Sequence, residues 1–190
     1  MENDVNEWLN KEGETFLKDI GIKKGEVVLD FGCGDGHYTI PAAEIVKREG
    51  KVYAIDKYLG SIDKLMEISK IKGLKNIIFL HNQSEEMKIN LESESIDVVL
   101  LYDVLHYNNV FGRKKIYEEN YRILKTGGIL SVYPKHLKKD EPFWNFSDMG
   151  LNDIIGEIES QHFYLERKFY KKLLHDDHYN LGYILNFIKK

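Results

Sequence analysis

Three glycines at alternating positions follow directly on an apolar segment of the chain. The segment EVVLDF at 26–31 contains two β-branched valines, and Gly32, Gly34 and Gly36 come immediately after it. In an α/β sheet, ligands bind beyond the carboxyl ends of the strands, and glycine lets the backbone approach a ligand closely. A dinucleotide-binding loop requires its third glycine three residues after the second, and His37 occupies that position. The spacing therefore predicts a small-ligand site of another kind.

Titratable side chains follow two further apolar segments. Asp103 and His106 come after SIDVVLLY at 95–102, and His136 comes after ILSVY at 129–133. If both segments are parallel strands, these side chains lie at the sheet edge where ligands bind. Histidine titrates near neutrality, so His106 and His136, together with Asp103, are our candidates for a catalytic base. For His106 the alternative is a role in packing or in enclosing the ligand.

The order of the apolar and helical segments predicts the fold that positions these residues. Five apolar segments alternate with helical ones, as in a doubly wound parallel sheet. Two further strands, 163–173 and 182–190, flank the polar turn LHDDHYNLG and predict a terminal hairpin whose last strand is antiparallel. The predicted fold class is α/β, with a seven-stranded, mostly parallel sheet. The remaining predicted strands lie at 26–31, 51–56, 76–82, 95–102 and 129–133, and the helices at 38–49, 60–71, 110–124 and 150–160.

Two segments lie outside this alternation. The N-terminal segment 1–20 has apolar residues at approximately helical spacing, which predicts an amphipathic helix packed on the sheet; a lid over the ligand is the alternative. Segment 134–160 begins as an irregular loop and predicts an insertion on the substrate side. We find no linker that divides the chain, so we expect one domain over 1–190.

Composition narrows the classes of partner. The formal net charge of −4 and the isoelectric point of about 6.0 lack the basic field of nonspecific nucleic-acid binding. We expect neither a membrane span nor secretion, because no long apolar run and no basic leader occur. Cys33 is the only cysteine, which fits a cytoplasmic protein. His106, His136, His175 and His178 could approach one another at the sheet edge, and at least one of His136, His175 and His178 could face the substrate. Polar hairpin turns have local reasons for such residues, so we expect no metal.

The glycine loop also matches a known family. The stretch VVLDFGCGDGHYT at 27–39 resembles the first motif of class I methyltransferases that depend on S-adenosylmethionine (SAM), and the resemblance extends to the terminal hairpin. With SEEM at 84–87 and LYDVLHY at 101–107, the chain is similar to the ubiquinone and menaquinone biosynthesis type and its small-molecule relatives. The resemblance implies SAM as cofactor, methyl transfer as reaction and a small molecule as acceptor.

Matching positions then take the family's roles toward the methionine and ribose parts of SAM. Asp30 and the backbone of Gly32, Cys33 and Gly34 are expected around the methionine moiety, with Asp30 toward its ammonium group. Asp56, which ends the second strand, is expected to accept both ribose hydroxyls. The alternatives are that Asp30 caps the loop and that Asp56 is a solvated residue at a strand end.

Further positions are expected near the adenine and the sulfur. The alkyl stem of Lys57 is expected to cover the adenine face. The family often has Asp-Ala-Glu after the third strand, where this chain has Gln83 and Ser84 before a glutamate; a glutamine carbonyl can still accept from the adenine amino group. Tyr102 and Asp103 end the fourth strand and are expected beneath the sulfur, facing the substrate.

Two other functions stay open at this stage. The first is a SAM-binding module or partner subunit without methylation activity. The second is an RNA or protein methyltransferase, which the short basic clusters at 113–115, 138–139 and 171–172 would serve, although such clusters are usually solvated. Methylation of nucleic-acid base amines is disfavoured because no Asn/Asp-Pro-Pro-Tyr/Phe motif follows the fourth strand. Arsenic methylation is disfavoured because that chemistry relies on several cysteines.

Overall fold

We describe a computed structural model of the protein that covers residues 2–81 and 88–190. The chain divides into two compact units, the first within Met1–Gln83 and Lys172–Leu181, the second within Ser84–Lys171 and Gly182–Lys190. Within the part of the chain that the structure describes, none of the helices has the length and apolarity needed to cross a membrane.

Among the described residues, seven strands form one mixed sheet. They are β1 (Val27–Phe31), β2 (Lys51–Asp56), β3 (Ile77–His81), β4 (Ile96–Tyr102), β5 (Leu124–Tyr133), β6 (Phe163–His175) and β7 (His178–Lys189). Their order is β3-β2-β1-β4-β5-β7-β6. Strand β2 pairs in parallel with β1 and β3, and β4 in parallel with β5, whereas β7 runs antiparallel to β5. The predicted fold class, a doubly wound seven-stranded sheet with an antiparallel last strand, is confirmed.

Helices separate the strands as the periodicity predicts. They are α1 (Glu2–Glu7), α2 (Gly13–Ile20), α3 (Thr39–Val46), α4 (Leu59–Ile71), α5 (Val110–Ile123) and α6 (Leu151–Glu159). Each of α3 to α6 begins and ends within about three residues of its predicted bounds. Helix α5 begins where the Asn109 side chain accepts a hydrogen bond from the Gly112 N–H, as an N-cap residue does.

Two boundaries differ from the prediction. Strand β5 begins at Leu124, five residues before the predicted strand, and its register with β4 shifts so that Ile96 pairs with Leu124 and Val98 with Ile129. The glycines of the segment KTGG lie in this irregularity, with Gly127 at φ +77°. The hairpin turn is also shorter than the eight residues, 174–181, that the predicted strands leave between them, since only Asp176 and Asp177 separate β6 from β7.

The N-terminal segment is helical from Glu2 to Ile20, with a π-helical stretch, Trp8–Glu12, between α1 and α2. Trp8 is buried, its indole N–H donates to the His37 carbonyl over 2.7 Å, and its ring lies 5.3 Å from that of Tyr38. The predicted helix is therefore present, and within the first unit it packs on the segment that follows the glycine loop. The lid function stays an untested alternative.

Candidate active site

The glycine loop of the first unit is shaped by its own backbone. Gly32, Gly34 and Gly36 all have positive φ, at +79°, +50° and +89°. The N–H groups of Gly32 and Cys33 donate to the Ile55 carbonyl over 2.8 and 3.0 Å. These two N–H groups therefore tie the loop to the end of β2, while its glycines provide the left-handed turns that other residues rarely adopt.

The second and third glycines are needed for different reasons. A Cβ at Gly34 would meet no other atom within 4 Å, so this glycine faces open space. A Cβ at Gly36 would instead collide with the Leu65 side chain. Gly36 therefore serves packing against α4, whereas Gly34 leaves room for a ligand to approach the backbone.

Asp56 is held in place by two backbone hydrogen bonds. Its Oδ2 accepts from the Gly34 N–H and its Oδ1 from the Tyr58 N–H, each over 2.9 Å. A carboxylate has about four acceptor positions, so two remain for a further donor pair. The arrangement orients Asp56 beside Gly34 and suits it to accept hydroxyl donors of a ligand.

Asp30 is a buried carboxyl group in the same unit. Only 3% of the residue is exposed, and its Oδ2 accepts a 2.6 Å hydrogen bond from the Thr39 hydroxyl. The pKa of Asp30 is raised to about 7, because burial and the charge of Asp56 outweigh the opposing effect of the Thr39 hydrogen bond. A cationic ligand would favour the ionised form and offset this cost. Thr39 was not among the predicted site residues, although it closes the motif that contains them.

The remaining predicted cofactor residues of the first unit differ in their exposure. The Cys33 side chain is buried with Ile40, Ala54 and Leu65, and burial raises the pKa of its thiol, with the Asp30 charge acting in the same direction. Cys33 can therefore reach a ligand only through its backbone. Lys57 is exposed, with its ammonium 4.9 Å from the centre of the Tyr58 ring. Gln83 and Ser84 lie outside the described residues, so their expected adenine contacts stay predictions.

The three candidate catalytic residues lie together in the second unit. Asp103 Oδ1 is 3.4 Å from His106 Nδ1 and 3.6 Å from His136 Nε2. The His136 Nδ1 lies 3.0 Å from the Glu141 carbonyl oxygen. Because a carbonyl only accepts, this hydrogen bond requires the proton of a neutral His136 to be on Nδ1, which leaves Nε2 as the basic nitrogen.

His106 and His136 differ in how much of the side chain is exposed to solvent. Only 2% of the His106 side chain is accessible, against 17% for His136 and 25% for Asp103. A group that takes a proton from a substrate must reach it within hydrogen-bond distance. His136 and Asp103 meet that condition better than His106, which lies beneath them.

The backbone of this region is strained at several positions. Asp103, His136, Glu141 and Trp144 have φ values of +56°, +69°, +47° and +45°. Residues other than glycine in the left-handed region each cost of order 1 to 3 kcal/mol, and such residues cluster at functional sites. Two of the four are the candidate acid–base residues.

Aromatic side chains surround the histidines within the second unit. The His106 ring centre lies 3.9 Å from that of Tyr107 and 4.7 Å from that of His136. Phe143 and Trp144 stack with a 4.7 Å separation and a 23° interplanar angle, and both are exposed, as is Tyr107. We call Tyr107, Phe143 and Trp144 the aromatic rim. It offers flat apolar surface beside His136.

Tyr102 has a different environment from the one expected. It is buried, its hydroxyl shares a 2.8 Å hydrogen bond with the Ser131 hydroxyl, and its ring packs edge-on to Tyr133 at 6.4 Å. Its side chain is thus engaged inside the second unit. The expected cofactor contact of Tyr102 would have to come from its backbone, and it stays a prediction.

The fold and the glycine loop define a class of protein that comparison with known proteins identifies. The family described as "Methyltransferase domain" matches residues 22–176, well over half of the chain. The chain therefore belongs to the methyltransferase domain family. Together with the relatives and solved structures described next, the match confirms the resemblance to class I SAM-dependent methyltransferases, a family of enzymes whose cofactor is SAM.

Individual relatives share only a modest fraction of their aligned residues with this chain. The chain is similar to a demethylmenaquinone methyltransferase from Geobacillus stearothermophilus, with 31% identity over 113 residues, which cover 60% of this chain and 47% of the relative. It spans about half the length of the curated relatives it matches. Among solved structures, a SAM-dependent methyltransferase from Aquifex aeolicus has a TM-score of 0.76 at 24% identity, over 96% of this chain and 92% of the other. One from Methanosarcina mazei has a TM-score of 0.71 at 15% identity, over 91% and 96%. These structures support the fold.

Proposed function

We propose that this chain transfers the methyl group of SAM to a small-molecule acceptor, with His136 as the general base. The observation that carries the proposal is the group of Asp103 and His136, two strained and partly accessible residues set beside the aromatic rim. Family membership supplies the reaction class, and the chemistry of the side chains supplies the roles.

The first unit has carboxylate acceptors that suit the ammonium group and the ribose hydroxyls of SAM. Asp30 provides a buried negative charge for the ammonium group, and Asp56 provides oriented oxygens for the ribose hydroxyls. Gly34 leaves space beside Asp56. A buried carboxyl group with a raised pKa is costly in the ligand-free protein, so its presence favours a cationic ligand over a neutral or anionic one.

The second unit supplies a base for the acceptor. When bound, SAM supplies an electrophilic methyl group, and the acceptor's nucleophilic atom forms the new bond as the carbon–sulfur bond breaks. His136 takes the acceptor's proton on Nε2, and the imidazolium so formed lies 3.6 Å from the Asp103 carboxylate, which stabilises its charge. His106 is buried with its Nδ1 3.4 Å from Asp103 Oδ1, and it does not touch the acceptor.

The acceptor is a small molecule with a flat apolar part. The exposed faces of the aromatic rim favour such a ring through offset or edge-on contact. The curated relatives carry the name demethylmenaquinone methyltransferase, which supports a small molecule as the acceptor. We carry over the class of acceptor and not the compound.

The test of this function is release of S-adenosylhomocysteine. Purified protein is incubated with methyl-labelled SAM and, in separate reactions, with an apolar metabolite extract, total RNA or a protein lysate. We expect product release and labelled small molecules with the apolar extract alone. SAM binding without release in any reaction would make the chain a binding module, and label in RNA or protein would replace the small-molecule acceptor.

Substituting Gly34 tests the open side of the loop. We expect Gly34→Val to abolish SAM binding, because the added side chain fills the space beside Asp56, while the fold persists at a strain cost of about 1–2 kcal/mol. Calorimetry and circular dichroism measure the two effects. Gly36→Ala is the contrasting variant: it should lower thermal stability through Leu65. Normal SAM affinity in a folded Gly34→Val protein would contradict the assignment.

Substituting Asp56 tests the ribose contact. We expect Asp56→Ala to weaken binding of SAM and S-adenosylhomocysteine, because the ribose hydroxyls lose their charged acceptor and Gly34 loses its anchor. Loss of a charged hydrogen-bond partner costs about 1.5–3 kcal/mol, or roughly tenfold to a hundredfold in affinity. Asp63→Ala, an exposed position on α4, is the control for calorimetry. Equal affinities for the two variants would rule out the ribose role.

A further inference from the structure

A buried lysine precedes the candidate base. Lys135 is 1% exposed, and its ammonium lies 2.7 Å from Asp140 Oδ1 and 3.2 Å from Glu141 Oε2. These ion pairs raise the pKa of Lys135 although burial opposes this, so the side chain stays charged. A buried ammonium needs such partners, because an unpaired buried charge is strongly destabilising.

The two acidic partners belong to the loop that also holds His136. The Glu141 carbonyl accepts from His136 Nδ1 over 3.0 Å, and the Phe143 N–H donates to the His136 carbonyl over 3.2 Å. Lys135 therefore binds the Glu141 side chain, and the carbonyl of Glu141 in turn orients the His136 ring. Both His136 and Glu141 have left-handed φ values, so the loop needs tertiary contacts to keep this conformation.

We propose that Lys135 is a positioning residue that fixes the tautomer of His136. By anchoring Asp140 and Glu141, Lys135 keeps the Glu141 carbonyl in contact with His136 Nδ1. The neutral ring is therefore protonated at Nδ1, and Nε2 is left as the base. Lys135 acts through the loop and touches neither acceptor nor cofactor. The catalytic use of this tautomer rests on the proposed function, whereas the tautomer itself does not.

The alternative is that Lys135 merely stabilises the loop. In that case removal of the lysine lowers the free energy of unfolding and leaves the proton of His136 on the same nitrogen. A tautomer measurement separates the two roles, because loop stability alone does not decide which ring nitrogen is protonated.

The experiment uses the full chain with ¹⁵N-labelled histidine. Two-bond ¹H–¹⁵N correlation spectra at about pH 8.5, where an ordinary histidine is neutral, show which ring nitrogen carries the proton. The His136 signals are assigned by their loss in His136→Asn. We expect the Nδ1–H pattern in the unsubstituted protein, and its loss in Lys135→Met in favour of Nε2–H or a mixture.

Matched variants complete the test. Lys139→Met removes an exposed lysine of the same loop and should keep the Nδ1–H pattern. If Lys135→Met does not fold, Glu141→Gln removes the ion pair to the residue that holds His136, while Asp140 still pairs with the Lys135 ammonium, and this variant should lose the pattern. An unchanged Nδ1–H tautomer in either folded variant would overturn the proposal. Since the spectra need no acceptor, absence of methyl transfer would overturn the proposed function alone.

Discussion

His136→Asn is expected to lower the rate of methyl transfer by about 10²- to 10⁴-fold, the usual contribution of a general base. Asparagine tolerates the left-handed backbone at this position, and its amide can still donate to the Glu141 carbonyl. The variant therefore removes the titratable nitrogen while the loop keeps its main contact. The rate is measured as S-adenosylhomocysteine release with the acceptor extract.

The chain contains a matched control for this substitution. His162 is exposed and has the same φ of +69°, so His162→Asn makes the same chemical change on the same backbone conformation, far along the chain from the candidate base. We expect this control to keep full activity and both variants to keep normal SAM affinity. A His136→Asn rate within a fewfold of the control would show that orientation alone, without this base, accounts for the reaction.

Asp30→Asn is expected to stabilise the ligand-free protein above neutral pH. The carboxyl group has a pKa of about 7 when folded, against 3.8 for the ordinary group, so the folded state holds the extra proton between these values. Stability is therefore lost as the pH rises from about 4 through 7, and the full cost applies above 7. A pKa difference of this size corresponds to about 4 kcal/mol, which is the upper bound of the gain at pH 8.

Denaturant unfolding at pH 5 and pH 8 measures this gain. Asparagine can accept the Thr39 hydrogen bond, so that contact is kept. The variant should gain less at pH 5, where the folded Asp30 carboxyl group is protonated, than at pH 8. Asp63→Asn on the exposed face of α4 should change little at either pH. The same Asp30→Asn protein should bind SAM more weakly, because the ammonium group loses its charged partner. A variant less stable than the unsubstituted protein at pH 8 would contradict the buried-charge account.

The features that the sequence predicts well are those set by local patterns. The apolar segments at 26–31 and 95–102 predict β1 and β4 because strands buried on both faces contain few polar residues. The loop glycines indicate a ligand site because their spacing follows a strand directly. The predicted class of protein comes from the resemblance of residues 27–39 to the first motif of a known family.

The features that the sequence does not predict depend on distant contacts. His106 and His136 are equivalent candidates in the sequence, and only the packing of Phe143, Trp144 and Phe146 around the His106 ring shows that it is enclosed. Lys135 looks like an ordinary surface lysine, since lysines are rarely buried without partners. The role of Lys135 depends on the loop conformation that places the Asp140 and Glu141 carboxylates beside the Lys135 ammonium.

The predicted bounds of the hairpin turn and of β5 are wrong for a related reason. The polar residues of LHDDHYNLG favour a turn by type, yet most of them are in β6 and β7 because strand pairing supplies their backbone hydrogen bonds. Likewise, Gly127 and Gly128 favour a loop locally but occupy a register shift within β5. In both places tertiary pairing overrides the local preference.

The most direct test of the account is a calorimetric titration of the full chain with SAM, S-adenosylhomocysteine and, as a control, NAD. The account predicts that SAM and S-adenosylhomocysteine each bind at one site, and that NAD does not bind, since His37 occupies the position where a dinucleotide loop needs its third glycine. Absence of SAM binding, or binding of NAD at the same site, would contradict it.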